Sequence, residues 1–289
     1  MTDSIVAPLN LPLSLPEQLI ALARQAGEAI LDVYNHPQPP DVMMKADDSP
    51  LTQADMAAHR CLVAGLHALV DIPLVSEEGD VPDYAERSQW PAYWLIDPLD
   101  GTKEFIARNG EFTVNIALMV ANQPLLGVVH VPVSDTTYMG VMPGLGLNAM
   151  AQKWQKGQFV SELHTSCLYE RRQASASLRV VASHRHGAEA VDQLIHRLET
   201  QWPASVARVA IGSSLKFCLL AEGMADIYPR FAPTCEWDTA AAQAVLTAAG
   251  GLVVEADQLT PLSYNGENAR LLNPWFIAVA DADLLSLIR

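Results

Sequence analysis

Between Trp94 and Phe105 the chain reads Trp-Leu-Ile-Asp-Pro-Leu-Asp-Gly-Thr-Lys-Glu-Phe, which sets two carboxylates and a hydroxyl within one short stretch. The apolar run Tyr93–Ile96 predicts the end of a buried strand, and Asp97-Pro98 and Asp100-Gly101 are turn signals. Pro98 fixes its own φ and has no N–H, while Gly101 tolerates a positive φ. A rigid turn of this kind projects Asp97, Asp100 and Thr102 from a strand end. Two carboxylates so close repel one another unless a cation lies between them. Hard oxygen ligands select Mg²⁺, Mn²⁺ or Ca²⁺ over softer metals. An ordinary Asp-rich turn without a metal is the plainer alternative.

Three further pieces bear on that choice. Ser76-Glu77-Glu78 follows the apolar run Ile72–Val75, Glu236-Trp237-Asp238 stands just before a helical pattern, and Lys45-x-Asp47-x-Ser49-Pro50-x-Thr52-x-x-Asp55 lies upstream of both. In this order the four pieces resemble the Mg²⁺-dependent, lithium-sensitive phosphomonoesterases of the inositol monophosphatase superfamily. The likeness runs from about Pro16 to Phe276 and is weakest around 149–172. Within the superfamily the details are most similar to its 3'(2'),5'-bisphosphate nucleotidases.

The resemblance, rather than the spacing, implies the roles. Glu77, Asp97 and the carbonyl of Leu99 would hold a first Mg²⁺; Asp97, Asp100 and Asp238 would hold a second; a third, weaker ion would sit near Glu77. Asp55 and Thr102 would orient the attacking water, with Glu77 counted among the catalytic groups. Gly101, Thr102 and Asp238 would also meet the substrate, and counterparts of His184, Ser213, Lys216 and Arg230 contact adenosine 3',5'-bisphosphate in the family's nucleotidases. Lys45, Lys103 and Glu104 are family-like too, whereas Ala242 stands where the family usually has glycine. The chemistry explains the need for metal. A phosphate monoester dianion repels hydroxide and its alkoxide leaves poorly, so paired cations that clamp the phosphoryl oxygens and acidify a water are the usual solution. The implied fold is α+β, a layered α/β sugar-phosphatase fold with alternating α-β-α-β-α layers.

Each residue also has a purely structural reading. Thr52 with Asp55 has the form of a capping box. Asp238 reads as an N-cap, a place that also suits a phosphate dianion. Gly212-Ser213-Ser214-Leu215-Lys216-Phe217 opens a helix whose N–H groups could cradle an anion. Lys216, Arg230 after Tyr228-Pro229, and His184 after a strand could equally be solvated surface groups. Together, on an acidic protein, they argue for a second phosphate and a base. A phosphatase for inositol 1-phosphate or a related sugar phosphate would share the metal site. A catalytically silent ligand-binding relative is opposed by the intact set Glu77, Asp97, Asp100, Thr102 and Asp238.

These groups must be positioned by a chain of 289 residues, enough for one large domain or two packed halves. Its 33 acidic and 18 basic residues give a net charge of −15, which opposes binding to nucleic acid polymers or anionic membrane. No apolar run approaches the roughly 18 residues of a membrane helix, and the N-terminus lacks the basic region of a signal peptide. Cys61, Cys167, Cys218 and Cys235 form no C-x-x-C pair and suit a reducing cytosol. A cytoplasmic protein is expected, with peripheral attachment to the inner membrane and the oligomeric state left open. Residues 1–14 are expected to be a loose extension, 15–175 an α+β half with most metal ligands, and 176–289 an α/β half with Asp238 and the recognition residues. Helices are predicted over Leu15–Tyr34, Thr52–Val70, Gly187–Gln201, Ser213–Glu222 and Thr239–Ala249, and Glu78–Pro91 as a mobile loop. Strands are predicted over Asp41–Lys45, Ile72–Ser76, Tyr93–Ile96, Thr113–Val120, Leu125–Val131, Thr136–Met142, Leu178–Ala182, Val206–Ile211, Ala225–Tyr228, Leu252–Glu255 and Trp275–Ala280. Leu147–Gln173 yields no clear pattern.

Overall fold

The computed structural model describes residues 9–37, 42–45, 50–182 and 188–288. Asp41, Asp47, Ser49, Ser183, His184, Gly187 and the first residues of the expected N-terminal extension lie outside the described residues. The chain opens with α1 (Leu15–Tyr34), whose Leu19, Leu22, Ala23, Ala26 and Ile30 are buried at helical spacing. Ser14 stands at its N-cap position without a side-chain bond, and Pro16 lies in the first turn. β1 (Val42–Met44) and β2 (Pro50–Thr52) form a small hairpin that delivers the chain to α2 (Gln53–Leu69).

β3 (Leu74–Ser76) pairs in parallel with β4 (Ala92–Asp100). The segment between them differs from the expected mobile loop. It contains a one-turn helix, α3 (Tyr84–Arg87), and the buried Arg87 donates to the carbonyls of Pro82 (2.8 Å) and Gly266 (3.1 Å) and to Asn265. A guanidinium held at both ends ties this loop to the distant C-terminal part of the chain. After α4 (Thr102–Ile106), the strands β5 (Thr113–Val120), β6 (Gln123–Val131) and β7 (Thr136–Val141) run as an antiparallel meander. The β5–β6 turn holds Ala121 and Asn122 at φ 47° and 60°, the positive pair that matches hairpin twist.

The unreadable segment supplies a second hairpin, β8 (Met150–Gln155) and β9 (Gln158–Glu162), turning on Lys156-Gly157, followed by α5 (Leu168–Gln173). These strands complete a seven-stranded sheet in the order β3-β4-β5-β6-β7-β8-β9. Next come β10 (Leu178–Ala182), α6 (Ala188–Gln201), β11 (Val206–Ala210), α7 (Leu215–Ala221) and β12 (Ile227–Arg230). A 3₁₀ turn at Glu236–Asp238 leads into α8 (Ala240–Ala248), then β13 (Leu252–Glu255), β14 (Phe276–Val279) and α9 (Leu285–Ile288). The second sheet, β11-β10-β12-β14-β13, is mixed: β10 is parallel to both neighbours, and β14 is antiparallel to both of its own.

Alternation along β4 explains the layering. Trp94 and Ile96 face one way, into a core with Leu19, Leu62 and Val128 under α1 and α2. Tyr93 and Leu95 face the other way, into a core with Phe217 of α7, Val245 of α8 and Ala278 of β14. Beyond the second sheet a third core joins Val180 and Ile277 to Leu194 of α6 and Leu287 of α9. The layers therefore run α-β-α-β-α, as expected. α8 approaches the large sheet closely because Gly127 and Gly140 lack side chains. A Cβ at Gly127 would meet the Ala241 carbonyl oxygen at 2.0 Å, and one at Gly140 would meet the Val245 Cα at 2.5 Å. Ala242 is fully buried within an uninterrupted α8. Among the described residues no helix is long and apolar enough to cross a membrane.

Candidate active site

β4 continues through Asp97-Pro98 to Asp100, and its register against β5 slips between those two aspartates. The slip, and Gly101 at φ 94°, turn the strand end into α4. A Cβ on Gly101 would also press the Glu111 carbonyl at 3.0 Å. This geometry brings Asp97 to Glu77, at the end of the neighbouring β3, and to Asp238. Carboxylate oxygens of Glu77, Asp97 and Asp238 all lie within 4.8 Å of one another. Asp97 is almost wholly buried; its Oδ1 accepts from Leu99 N–H at 3.0 Å, and its Oδ2 has no partner. A buried, partnerless carboxylate oxygen facing two more carboxylates is costly without a cation. Burial, then the charges of Glu77, Asp100 and Asp238, push the Asp97 carboxyl well above its ordinary range. Asp238 is raised for the same reasons, burial first and then Asp100 and Glu77. The donor set, all hard oxygen, fits a cation such as Mg²⁺.

Asp100 is not part of that trio. Its Oδ2 accepts from the Ser214 N–H at 2.6 Å and the Ser214 hydroxyl at 2.8 Å. Asp238 does not cap α8 as expected either. Its Oδ2 accepts from the Cys235 N–H at 2.9 Å, closing the 3₁₀ turn, and Thr239 takes the cap position of α8. Asp55 combines the two readings of its motif. Its Oδ2 accepts from the Thr52 N–H (2.8 Å) and hydroxyl (2.6 Å), and its Oδ1 accepts from the Thr102 hydroxyl at 3.2 Å. Thr102 also approaches the Leu99 carbonyl at 3.4 Å. Lys45 donates to Glu77 (2.8 Å) and Glu78 (2.7 Å), so its ammonium stands beside the acidic trio. Burial, opposed by the Lys45 bond and aided by Glu77, lifts Glu78 to about 7.

Of the expected recognition residues, Ser213, Lys216 and Arg230 meet on the other side of Asp100. A cavity of about 160 Å³ is lined by Asp100, Ser213, Lys216, Arg230 and Asp238, among others. The expected anion cradle is filled by the protein's own carboxylates: Gly212 N–H donates to Glu111 at 2.7 Å, and Ser214 N–H to Asp100. Ser213, at φ 44°, carries the strain of this turn, and its buried hydroxyl has no partner. Lys216 is buried rather than solvated. Its ammonium donates to the carbonyls of Ser213 (2.6 Å) and Ile211 (3.3 Å) and lies over the Tyr228 ring. Burial brings it down to about 8, with Asp100 opposing and Arg230 assisting. Arg230 donates to the carbonyls of Pro233 (2.7 Å) and Ala232 (3.2 Å). A second cavity of about 560 Å³, lined by Lys45, Glu77, Lys103 and Asp238 with other residues, opens onto the same carboxylates. Two groups escaped the sequence reading. Ser214 is hidden as the second of a serine pair, and Asn115 is legible only once β5 is placed opposite Asp97.

Residues 14–282 match the inositol monophosphatase family. The chain belongs to that family. It is 46% identical over 261 residues to the 3'(2'),5'-bisphosphate nucleotidase CysQ of Shigella flexneri, covering 90% of this chain and 97% of the relative. The crystal structure of CysQ from Bacteroides thetaiotaomicron, described as a bacterial member of the inositol monophosphatase family, superposes with a TM-score of 0.75. The two are 42% identical, over 93% of this chain and 98% of that one. The inositol monophosphatase of Thermotoga maritima has the same fold, with a TM-score of 0.69 at 21% identity over 93% of each chain. The acidic trio lies where strand ends of the large sheet meet the turn before α8.

Proposed function

We propose that the chain is a Mg²⁺-dependent 3'(2'),5'-bisphosphate nucleotidase that hydrolyses adenosine 3',5'-bisphosphate to AMP and phosphate. The observation that carries this reading is the pairing of the partnerless, buried Asp97 oxygen among three carboxylates with the buried cation Lys216 across Asp100. One centre suits metal and a scissile phosphate, and the other suits a second phosphate. The likeness to bisphosphate nucleotidases over nine-tenths of the chain supports the choice of substrate.

Glu77, Asp97 and the Leu99 carbonyl would hold one Mg²⁺; Asp97, Asp100 and Asp238 would hold another. A third ion near Glu77 would compete with the Lys45 ammonium. Bound Mg²⁺ would neutralise the phosphoryl oxygens and acidify a water. The chain's own part is then orientation. Asp55 accepts a hydrogen bond from the Thr102 hydroxyl, which leaves a Thr102 lone pair to accept one from the attacking water. As that water reacts, its proton would pass to Thr102 while Thr102 passes its own to the Asp55 carboxylate. Asp55 is in turn fixed by Thr52 at the start of α2. Gly101, with no side chain, lets the phosphate approach the turn. Lys216 and Arg230 would hold the phosphate that is not cleaved, exchanging carbonyl partners for it, and Ser213 would offer its unpaired hydroxyl. His184 is proposed to meet the nucleotide on sequence grounds alone. The two halves proposed from sequence, 15–175 and 176–289, would then each supply part of one site.

Phosphate release from adenosine 3',5'-bisphosphate and from inositol 1-phosphate, measured side by side with Mg²⁺ and with chelator, tests the reading. Preferred, Mg²⁺-dependent turnover of the nucleotide is expected. Preference for inositol 1-phosphate would overturn the substrate. Nucleotide binding without turnover would overturn the enzyme.

A further inference from the structure

We propose that Ser214 is a positioning residue that locks the Asp100 carboxylate and the Asp238 turn to each other, so that both can serve one metal. The inference rests on the metal assignment above and concerns a residue outside it. Ser214 is almost wholly buried, just before α7. Its N–H and hydroxyl both reach Asp100 Oδ2, at 2.6 and 2.8 Å. The same hydroxyl reaches the Asp238 carbonyl at 2.7 Å and accepts from Asn115 Nδ2 at 3.0 Å. A hydroxyl has one proton, so it serves Asp100 or Asp238 at any instant, while Asn115 occupies a lone pair. Asn115 is itself fully buried and stands directly opposite Asp97 across the β4–β5 pair.

Four pieces of the chain therefore converge on one oxygen: the end of β4, the middle of β5, the turn before α7 and the turn before α8. None of these bonds uses Asp100 Oδ1. A carboxylate that binds a metal through one oxygen is held in orientation by donors on the other, and losing such donors typically weakens metal affinity about 10- to 100-fold. Ser214 supplies both donors to Asp100 Oδ2. It comes from the smaller-sheet part of the chain, whereas Asp97 and Asp100 come from the larger sheet.

The test is calorimetric titration of Mg²⁺, with Mn²⁺ paramagnetic resonance in parallel, on the full chain without substrate. Ser214→Ala keeps the N–H bond, so an affinity loss near the lower end, about 10-fold, is expected. The metal-free protein should stay folded, with its unfolding midpoint lowered by several degrees because Asn115 Nδ2 and the Asp238 carbonyl lose a buried partner. Asn115→Ala should weaken metal in the same direction by less. The double variant should be no weaker than Ser214→Ala, because both act through one hydroxyl. A folded Ser214→Ala with wild-type metal affinity, or additive losses in the double variant, overturns the proposal. If Ser214→Ala does not fold, unchanged affinity in Asn115→Ala overturns it and weakened affinity upholds it. The titration needs no nucleotide, so a wrong substrate assignment would show in the phosphate-release assay and leave this outcome readable.

Discussion

The two sides of Asp100 solve opposite electrostatic problems. On the β3–β4 side, Glu77, Asp97 and Asp238 crowd their charges together and leave an Asp97 oxygen with no partner. On the α7–β12 side, Lys216 and Arg230 are already satisfied by main-chain carbonyls. The acidic side is poised to gain from an added cation. The basic side must give up internal bonds before it meets a phosphate. Metal should therefore stabilise the protein strongly, while the second phosphate should contribute specificity with a modest net gain in affinity.

Removing the crowding is the sharpest way to break this contrast. Asp97→Asn keeps the shape and the Leu99 contact but removes the central charge. Turnover should fall by on the order of 10³-fold or more, since several kcal/mol of metal-borne stabilisation is lost. The metal-free variant should nevertheless melt higher than metal-free wild type, by roughly 2–4 °C for each kcal/mol of repulsion relieved. The sign follows from the raised Asp97 carboxyl: the ionised form is disfavoured in the folded state, so an amide is preferred near neutral pH. Added Mg²⁺ should reverse the order by stabilising wild type alone. A melting series with and without chelator checks this.

Thr102→Ala separates water orientation from metal binding. Turnover should drop by about 10²-fold, with calorimetric Mg²⁺ affinity unchanged. A parallel collapse of affinity would make Thr102 a support of the metal side instead.

Lys216→Met tests the basic side while filling its buried volume. A hydrogen bond to a charged group contributes about 1.5–3 kcal/mol, so KM for adenosine 3',5'-bisphosphate should rise by about 10- to 150-fold with kcat near normal. Hydrolysis of a small monoester lacking a second phosphate should hardly change. Equal losses on both substrates would remove Lys216 from recognition.

The smallest effect is in pH. Burial brings Lys216 down to about 8, and only its protonated form can hold a phosphate. KM should be flat below pH 8 and then rise by up to about tenfold per pH unit as the ammonium deprotonates. Lys216→Met should abolish that limb, and a KM profile for the two proteins decides it.

Much of this architecture was legible because it rests on local rules. The continuous apolar run of β4 marks a strand buried on both faces, and the alternation from Leu178 onward marks the second sheet. Three features were not legible, each for its own reason. The β8–β9 hairpin carries exposed Phe159 and Val160 among polar residues, so neither face reads as a core. The 78–91 loop is anchored by Arg87, whose partners lie far along the chain. Lys216 reads as a surface lysine because its carbonyl partners exist only once the turn at Ser213 is strained into shape. In the site, residue types pointed to a hard-cation centre at Asp97 and the family resemblance implied Glu77 and Asp238 as its partners, whereas the bonds that orient it, from Ser214 and Asn115, are long-range and carry no local signature.

Two absent methyl groups set the tolerance of the whole centre. Gly127 and Gly140 let α8 lie against the large sheet at backbone distance, and Asp238 enters the site on the turn that starts that helix. An alanine at either position would act as a shim under α8, lifting the Asp238 turn away from strands that keep Glu77 and Asp97 where they are. Such a lesion would leave every ligand residue in the sequence while displacing one of them, Asp238, and would be read in the laboratory as a poor appetite for magnesium. The genetic footprint of the catalytic centre thus extends to two positions with no side chain, on strands that supply none of its groups.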